Sequence, residues 1–414
     1  MSAPGAPTMT RLEKLMLPMT RNVGAERLLE GLSRIAHAPL DRAQALPPGC
    51  YTDEAFFALE MERLFGREWI CIGRASDIPE PGDHLTLELA NAQVMAVRQR
   101  NGEIAVLSRV CRHRAALLGT SGGGSTKLFV CPYHKWVYEL DGTLRGAPTL
   151  EQNPGFRRED CGLPSFRTEV WLGFIFFCAD PAAAPLAPRL DQVAERVRSY
   201  DLAELTTGFV LEDVWEANWK VAFENSCETY HHMGVHPSSL EPFFPTLGAR
   251  CEAGGAGFNL HVVPAIAGFS FEPATGGDAQ SAQSAQLLII GVYPALVLVL
   301  SGRTVSWFAF APVGVTRTRI RVGWLTPKGG QHADGSRLAR DREILERVLS
   351  EDRASCAGVQ LGLGSRDAAS GPLSPLERTV AEFSRYLAER LTSVERADPA
   401  PSLGSIASAP PGQG

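Results

Sequence analysis

Two short stretches of the sequence, VCRHR at residues 110–114 and VCPYHKWVY at residues 130–138, determine how the rest of the chain is interpreted. Each stretch places one cysteine and one histidine at a single turn, two or three residues apart. Two thiolates and two imidazoles brought together by two such loops form a four-ligand metal site. The four candidate ligands are Cys111, His113, Cys131 and His134.

Residue types alone leave three interpretations of these ligands open. Zinc would accept them as a structural tetrahedral site, although zinc modules more often pair cysteine with cysteine and histidine with histidine. A [2Fe-2S] centre in which two histidines replace two cysteines on one iron takes one ligand of each type from each loop, which is the pattern here. Two buried structural cysteines beside two unrelated histidines are the third interpretation.

The spacing also carries a family resemblance. Seventeen residues separate the first pair from the second, and Trp136 and Gly142 follow. This arrangement resembles the cluster-binding motif of Rieske iron–sulfur proteins. The resemblance implies that the four residues hold a Rieske [2Fe-2S] cluster.

Composition limits the class of protein and of partner. The chain has 414 residues and a formal net charge of -6, which argues against nucleic acid as the main partner. Its nine cysteines show no disulfide framework, as expected for a cytoplasmic protein. We see no secretory signal, and the most apolar run, residues 287–300, is broken by Pro294 and too short to cross a bilayer. We therefore expect a soluble protein without a membrane segment.

The pattern along the chain predicts an α+β protein with two folded domains. Residues 1–45 are interpreted as an arm with a docking helix. Closely spaced short strands predict an all-β domain over residues 46–180, with the metal loops inside it. Residues 181–395 predict a catalytic domain with an antiparallel sheet gripped by helices, including a strand at 208–221 and helices at 222–234 and 336–361. Residues 274–286 predict a mobile loop, and residues 396–414 a disordered tail.

A second group of possible ligands lies within thirteen residues of the second domain. Its members are two carboxylates and three histidines: Glu224, Glu228, His231, His232 and His236. On a helix Glu224, Glu228 and His231 would share one face. Helical spacing would also allow His232 to pair with His236, but Pro237 disfavours helical geometry at the residue before it. Spacing alone does not choose between His231 and His232.

A second resemblance makes that choice. An acid, one residue, Tyr-His, four residues and a second histidine resemble the mononuclear-iron motif of Rieske oxygenases. Glu228, His231 and His236 match this motif in register, with glutamate at a position where the family usually has aspartate. The resemblance implies that His231 and His236 are iron ligands and that His232 is only a neighbour.

A facial triad of two histidines and one carboxylate needs one more acid. The predicted helix at 336–361 has an apolar stripe of Ile344, Val348, Asp352, Cys356 and Val359, so Asp352 lies on that stripe. A carboxylate on a buried stripe is costly unless a cation neutralises it, although a solvated position at the edge of the stripe is also possible. The sequence around Asp352 resembles the third-ligand segment of the same family.

The resemblance covers about residues 45–395 and implies a terminal oxygenase α subunit. Such a chain carries a [2Fe-2S] cluster and one ferrous iron and uses O2 to oxidise a small organic substrate. The chain shows no flavin or nicotinamide motif, so a separate reductase or ferredoxin must supply the electrons. Arg109, Arg112 and Arg114 are interpreted either as a surface that steers an acidic partner or as a solvated basic edge.

The family resemblance further implies a homotrimer, in which the cluster of one subunit faces the iron of the next and Glu228 bridges them. A cluster-carrying electron-transfer or sensor protein is the alternative outside enzymes. The end of the chain is similar to monooxygenases of quaternary ammonium compounds, for which N-demethylation is expected. Ring-dihydroxylating oxygenases share much of that segment. An aromatic cage for a quaternary ammonium group could use Phe243, Phe244, Tyr293 and Trp307.

Overall fold

The computed structural model describes residues 23–267, 286–302, 304–328 and 335–392. The predicted loop at 274–286 lies outside the described residues except for its last residue, which begins a strand. The predicted tail at 396–414 also lies outside them. Within the described ranges, no helix is long and apolar enough to cross a membrane.

Helices near the start of the described residues contact the last described helix. The predicted docking helix is observed as α1 and packs against the last helix of the described chain. In α3, the side chain of Asp53 accepts a hydrogen bond from the backbone N–H of Phe56, as a capping residue does. The ranges are α1 (Val23–Ala36), α2 (Gly49–Thr52) and α3 (Glu54–Glu60).

The first domain is made of β-strands, as predicted. A seven-stranded sheet has the order β1-β10-β9-β4-β3-β2-β5, and a small three-stranded sheet, β6-β7-β8, carries the second metal loop. The strands are β1 (Ile70–Arg74), β2 (Asp83–Leu89), β3 (Ala92–Arg98), β4 (Ile104–Ser108), β5 (Gly123–Ser125), β6 (Phe129–Val130), β7 (Val137–Tyr138), β8 (Leu144–Gly146), β9 (Ser165–Trp171) and β10 (Phe174–Cys178).

The second domain is built on one antiparallel sheet of seven strands in the order β11-β17-β16-β15-β14-β13-β12. Every neighbouring pair in this sheet is antiparallel, and most are consecutive in sequence. The strands are β11 (Leu205–Trp215), β12 (Arg250–Gly255), β13 (Phe258–Pro264), β14 (Gln286–Val292), β15 (Leu296–Ser301), β16 (Thr304–Gly314) and β17 (Arg317–Pro327).

Helices pack against this sheet and complete the predicted α+β arrangement. Among the helices of the described residues, α5 is buried on most sides and α7 is the longest. Lys220 of α5 forms an ion pair with Glu60 of α3, with Nζ and Oε1 2.6 Å apart, and both side chains are fully buried. Removing either partner of such a pair leaves an uncompensated buried charge and costs about 3–5 kcal/mol. The ranges are α4 (Asp191–Arg196), α5 (Trp219–Cys227), α6 (His232–Val235), α7 (Gly335–Leu363) and α8 (Arg378–Thr392).

Two predicted elements have other bounds in the structure. The predicted strand at 208–221 is observed as β11, which ends at Trp215, and residues 219–221 belong to α5. The predicted helix at 222–234 is observed as two helices, α5 and α6, separated by a turn at residues 228–231. In the glycine-rich segment at residues 122–125, Gly123–Ser125 forms the edge strand β5 and pairs with β2. At Gly123 an added Cβ would lie 2.4 Å from the carbonyl oxygen of His84, so only glycine permits this approach.

The two domains share hydrophobic core. Phe174 of β10 packs edge to face against Trp307 of β16, with ring centroids 6.0 Å apart. The Arg74 guanidinium is fully buried and donates hydrogen bonds to the carbonyl oxygens of Leu202 and Leu205, at the start of the second sheet. These contacts hold the first domain in a fixed position on the second sheet.

Candidate active site

The two metal loops have the same backbone design. In the first, the N–H of Ala115 donates to the carbonyl oxygen of Cys111 at 3.0 Å, and in the second the N–H of Lys135 donates to that of Cys131 at 3.1 Å. The fifth residue of each loop is left-handed, with φ 59° at Ala115 and 60° at Lys135. Each loop therefore turns tightly enough to present its cysteine and histidine on the same side.

The loops bring the four predicted ligands together. The side chains of Cys111 and Cys131 are buried, whereas the two imidazoles lie nearer the surface with ring centroids 4.5 Å apart. Nδ1 of His134 is buried and has no hydrogen-bond partner among the described residues. A buried imidazole nitrogen without a partner is the donor atom that a metal would occupy.

The donor set of this site favours a cluster over a single zinc ion. Each loop supplies one thiolate and one imidazole, which is the ligand set of a [2Fe-2S] centre that has two histidines on one iron. Zinc modules more often pair cysteine with cysteine and histidine with histidine.

The turn at residues 228–231 forms the centre of the second site. The carboxylate of Glu228 accepts hydrogen bonds from the backbone N–H groups of Tyr230 and His231, so the chain leaves the helix there. Its Oε1 also lies 2.6 Å from Nδ1 of the His231 ring. Glu228 and His231, which the motif places three residues apart, are thus in contact. They meet within a turn and not along one face of a helix.

His236 is held in the same way by an acid that sequence reasoning missed. Oε2 of Glu351 lies 2.7 Å from Nδ1 of His236, which is fully buried. Ser239 and Arg347 donate hydrogen bonds to the same carboxylate. A carboxylate that holds the outer nitrogen of a metal-binding histidine fixes its tautomer and directs the other nitrogen to the metal.

Asp352 is buried on α7, at 8% exposure, and faces both histidines. Its Oδ1 lies 3.0 Å from Nε2 of His236 and 3.5 Å from Nε2 of His231, and Asn225 donates to it at 2.9 Å. The predicted stripe is wrong at its ends, because Ile344 and Val359 are exposed. The buried positions are Leu345, Asp352, Cys356 and Gln360.

The pKa shifts of Asp352 and His231 are those expected where a cation binds. Burial alone would raise the pKa of Asp352, but hydrogen bonds from His231 and His236 hold it well below its usual range. Burial alone would lower the pKa of His231, but hydrogen bonds with Asp352 and Glu228 raise it to about 10. Protons on these rings occupy the place of a cation, and the donor set of two imidazoles and one carboxylate suits ferrous iron.

His232, the competing histidine, lies outside this set. Its ring centroid is 4.9 Å from that of His231 and 5.4 Å from that of His236, but it does not belong to the group of ligand atoms. Burial, with the neighbouring histidines, lowers its pKa to about 2. His232 is therefore a neutral neighbour, as the motif implied.

Other predicted residues take different positions. The four aromatic residues proposed for a cage do not surround one space: Trp307, Tyr293 and Phe244 belong to three different hydrophobic clusters, and Phe243 is 40% exposed. Arg109 is buried and donates to the carbonyl oxygens of Leu118 and Gly119, so it stiffens the first loop from within. Arg112 and Arg114 are exposed beside the loop.

Two known protein families match this chain, and together they cover most of both domains. The Rieske [2Fe-2S] domain family matches residues 68–167, and the family of the ring hydroxylating alpha subunit catalytic domain matches residues 199–393. The chain belongs to the Rieske non-haem iron oxygenases. As a member of this family, it carries a Rieske [2Fe-2S] cluster and one mononuclear iron.

Individual relatives of this Rieske oxygenase point to two kinds of reaction. Biphenyl 2,3-dioxygenase subunit alpha from Rhodococcus jostii is 38% identical over 210 residues, which is 49% of this chain and only 45% of that relative. The glycine betaine monooxygenase oxygenase subunit from Pseudomonas aeruginosa is 25% identical over 386 residues, covering 85% of this chain and 90% of that relative. A quaternary ammonium Rieske monooxygenase in complex with L-carnitine shares the fold, with a TM-score of 0.74 and 22% identity, covering 86% of this chain and 98% of that chain.

Proposed function

We propose that this Rieske oxygenase hydroxylates an N-methyl group of a small quaternary ammonium compound, which then loses formaldehyde. The observation that carries the proposal is the extent of the similarity to glycine betaine monooxygenase. That similarity runs through 85% of this chain and 90% of the relative, whereas the more identical biphenyl relative aligns with less than half of each. Ring dihydroxylation is the second candidate and is favoured by the higher local identity.

We assign the cluster to Cys111, His113, Cys131 and His134, and the iron to His231, His236 and Asp352. When bound, these groups supply single electrons and open coordination positions for O2 and substrate. The carboxylates of Glu228 and Glu351 hold the outer ring nitrogens, so that each histidine presents Nε2 to the iron. Asn225 donates to Asp352 and limits the orientations of its carboxylate.

We further propose a ring-shaped homotrimer in which Glu228 accepts a hydrogen bond from His134 of the partner subunit. Two exposed apolar patches support this contact. Leu117, Val130 and Tyr133 are 44–54% exposed at the cluster loops, while Tyr230 and Met233 are 45% and 46% exposed beside the iron site. Burying both patches in one interface removes them from water and places cluster and iron close together.

The test of the substrate class uses purified holoenzyme, a reductase and NADH, with glycine betaine, choline, carnitine and biphenyl as substrates. We expect oxygen consumption matched by an equal amount of formaldehyde with at least one of the three ammonium compounds. A dihydrodiol from biphenyl without formaldehyde from the ammonium compounds would support the second candidate. Metal analysis accompanies it, with two irons and two sulfides for the cluster and one further iron per chain.

If the protein carries the cluster but no third iron, it is an electron-transfer or sensor protein. Zinc at the first site would contradict the cluster assignment as well.

A further inference from the structure

A third buried histidine of the second domain, His261, joins the sheet to the turn that carries Glu228. Its side chain is fully buried on β13. Nε2 lies 2.8 Å from Oγ1 of Thr229, and Nδ1 lies 3.4 Å from Sγ of Cys251. Cys251 is directly opposite His261 in the pairing of β12 with β13, so the sheet register places the thiol and the imidazole side by side.

The direction of these hydrogen bonds follows from the contact of Cys251 with a backbone carbonyl oxygen. Sγ of Cys251 lies 3.4 Å from the carbonyl oxygen of Leu376, which can only accept, so the thiol donates there. Nδ1–H of His261 then donates to the sulfur, and Nε2 is left as an acceptor for the hydroxyl of Thr229. Burial lowers the pKa of His261 to about 4, which agrees with a neutral ring.

Thr229 is the residue at which this chain of hydrogen bonds reaches the iron site. It is fully buried between Glu228 and Tyr230, inside the turn. Its carbonyl oxygen accepts hydrogen bonds from Oγ1 of Thr246 at 3.1 Å and from the backbone N–H of His232 at 3.0 Å. Both the side chain and the backbone of Thr229 are thus fixed to the surrounding structure.

We propose that His261 is a positioning residue that, by accepting the hydroxyl hydrogen of Thr229, holds the turn at residues 228–231 and aims Glu228 at His231. The effect is indirect, since His261 reaches the iron ligands only through Thr229. The proposal rests on the function proposed above, because it assigns His261 a part in holding the same iron.

The physical reason is the cost of an unpaired buried hydroxyl. Without His261, the hydroxyl of Thr229 has no acceptor at that position and the side chain can leave its rotamer. Glu228 is the next residue and uses the same turn to reach Nδ1 of His231. Loosening the turn therefore weakens the orientation of one iron ligand while leaving the cluster loops untouched.

The experiment measures how fast the holoenzyme loses its mononuclear iron to a ferrous chelator, with the visible absorbance of the cluster as an internal control. Mutating a direct outer partner of a metal ligand typically weakens binding about 10–100-fold, so a residue one step further out should have a smaller effect. We expect His261→Leu and Thr229→Val to release iron about three- to tenfold faster. His261→Gln and Thr229→Ser, which keep an acceptor and a hydroxyl, should stay near the wild-type rate.

Two comparisons separate positioning from a general loss of packing. Thr318→Val is the matched control, because Thr318 is equally buried and its hydroxyl bonds to the carbonyl oxygen of Ala217, away from this turn. It should leave iron release unchanged. The double variant His261→Leu with Thr229→Val should release iron no faster than either single variant, since both remove one hydrogen bond.

The proposal is overturned if His261→Gln loses iron as fast as His261→Leu, or if the two single effects add. It is also overturned if both single variants keep the wild-type rate. Failure of the proposed function looks different, because wild-type protein would then form no formaldehyde from the ammonium compounds, whatever the variants do to iron release.

Discussion

At the scale of single residues, the proposed iron site has two histidines, and each is held by an acid from a different part of the chain. Glu228 lies three residues before His231, whereas Glu351 is on α7, more than a hundred residues after His236. Both carboxylates bind Nδ1 and so leave Nε2 directed at Asp352. Since these acids also stabilise protonated rings, iron must displace protons when it binds.

The first prediction concerns the pH dependence of iron binding. Contacts with Asp352 and Glu228 raise the pKa of His231 to about 10, so below that pH the iron-free ring carries a proton. A raised pKa means that acid favours the iron-free form, and affinity should therefore rise with pH by about tenfold per unit for each proton displaced. Calorimetric iron titrations at pH 6.5, 7.5 and 8.5, in buffers of different ionisation enthalpy, measure the iron affinity and the number of protons released. A flat affinity without proton release would contradict it.

The second prediction concerns Cys111, which we propose as a cluster ligand. The hydroxyl of Tyr138 lies 3.3 Å from its sulfur and accepts the backbone N–H of Arg112, so the hydroxyl hydrogen is directed at the sulfur. A hydrogen bond to a ligand sulfur stabilises the more negative reduced cluster. Tyr138→Phe should lower the reduction potential by on the order of tens of millivolts. A spectroelectrochemical titration checks this, with Tyr200→Phe, remote from the loops, as the unchanged control.

At the scale of structural elements, the two metal loops have the same strained backbone position, the left-handed residue Ala115 in the first and Lys135 in the second. Lys135 is left-handed, a conformation that costs a residue with a Cβ about 1–2 kcal/mol relative to glycine. The greater freedom of glycine in the unfolded chain offsets part of this. We therefore expect Lys135→Gly to stabilise the cluster domain by about 0.5–1 kcal/mol.

Thermal loss of the visible cluster absorbance measures this stabilisation. Lys135→Ala is the matched control, because it removes the same charge but keeps the Cβ. If alanine stabilises the loop as much as glycine, the effect comes from the charge and not from the backbone.

Local patterns predicted those elements in which sequence neighbours remain neighbours in the structure. The two cysteine–histidine turns depend on spacings of two and three residues, and α7 depends on an uninterrupted helical period that placed Asp352 correctly. The predicted helix at 222–234 failed because the Glu228 carboxylate takes the backbone N–H groups of Tyr230 and His231. A side-chain contact of that kind is invisible to helical periodicity.

Glu351 was missed for a geometric reason. A helical wheel places it about a quarter-turn from Asp352, which looks too far for a shared site. The imidazole of His236 spans that angle, because Nδ1 contacts Glu351 and Nε2 contacts Asp352. The contacts of His261 could not be predicted from spacing, because Cys251 meets it through the pairing of β12 with β13 and Thr229 meets it from the turn at residues 228–231.

At the scale of the whole molecule, the exposed apolar patches predict the assembly. Tyr133 on the cluster loop and Met233 beside the iron site are 54% and 46% exposed. We expect the wild-type protein to sediment at three times the chain mass of 44.7 kDa, and Tyr133→Glu or Met233→Glu to shift it to the monomer. Analytical ultracentrifugation measures the mass. Val170→Glu, at an equally exposed strand position, should remain a trimer, and a monomeric wild-type protein would contradict the ring.

The consequence of such a ring is that a residue near the iron controls electron transfer from a neighbouring cluster. Glu228→Ala, loaded with the same amount of iron as the wild type, should oxidise its reduced cluster in a single turnover about 10–100-fold more slowly, the size of the activity loss that is typical when an outer partner of a metal ligand is removed. Glu351→Ala is the matched control, because it removes the equivalent support of His236 without touching the bridge. Stopped-flow absorbance follows cluster oxidation with substrate and O2, at equal iron content. Equal slowing in both variants would mean that Glu228 acts only by holding its histidine, and the electron path would then lie elsewhere in the interface.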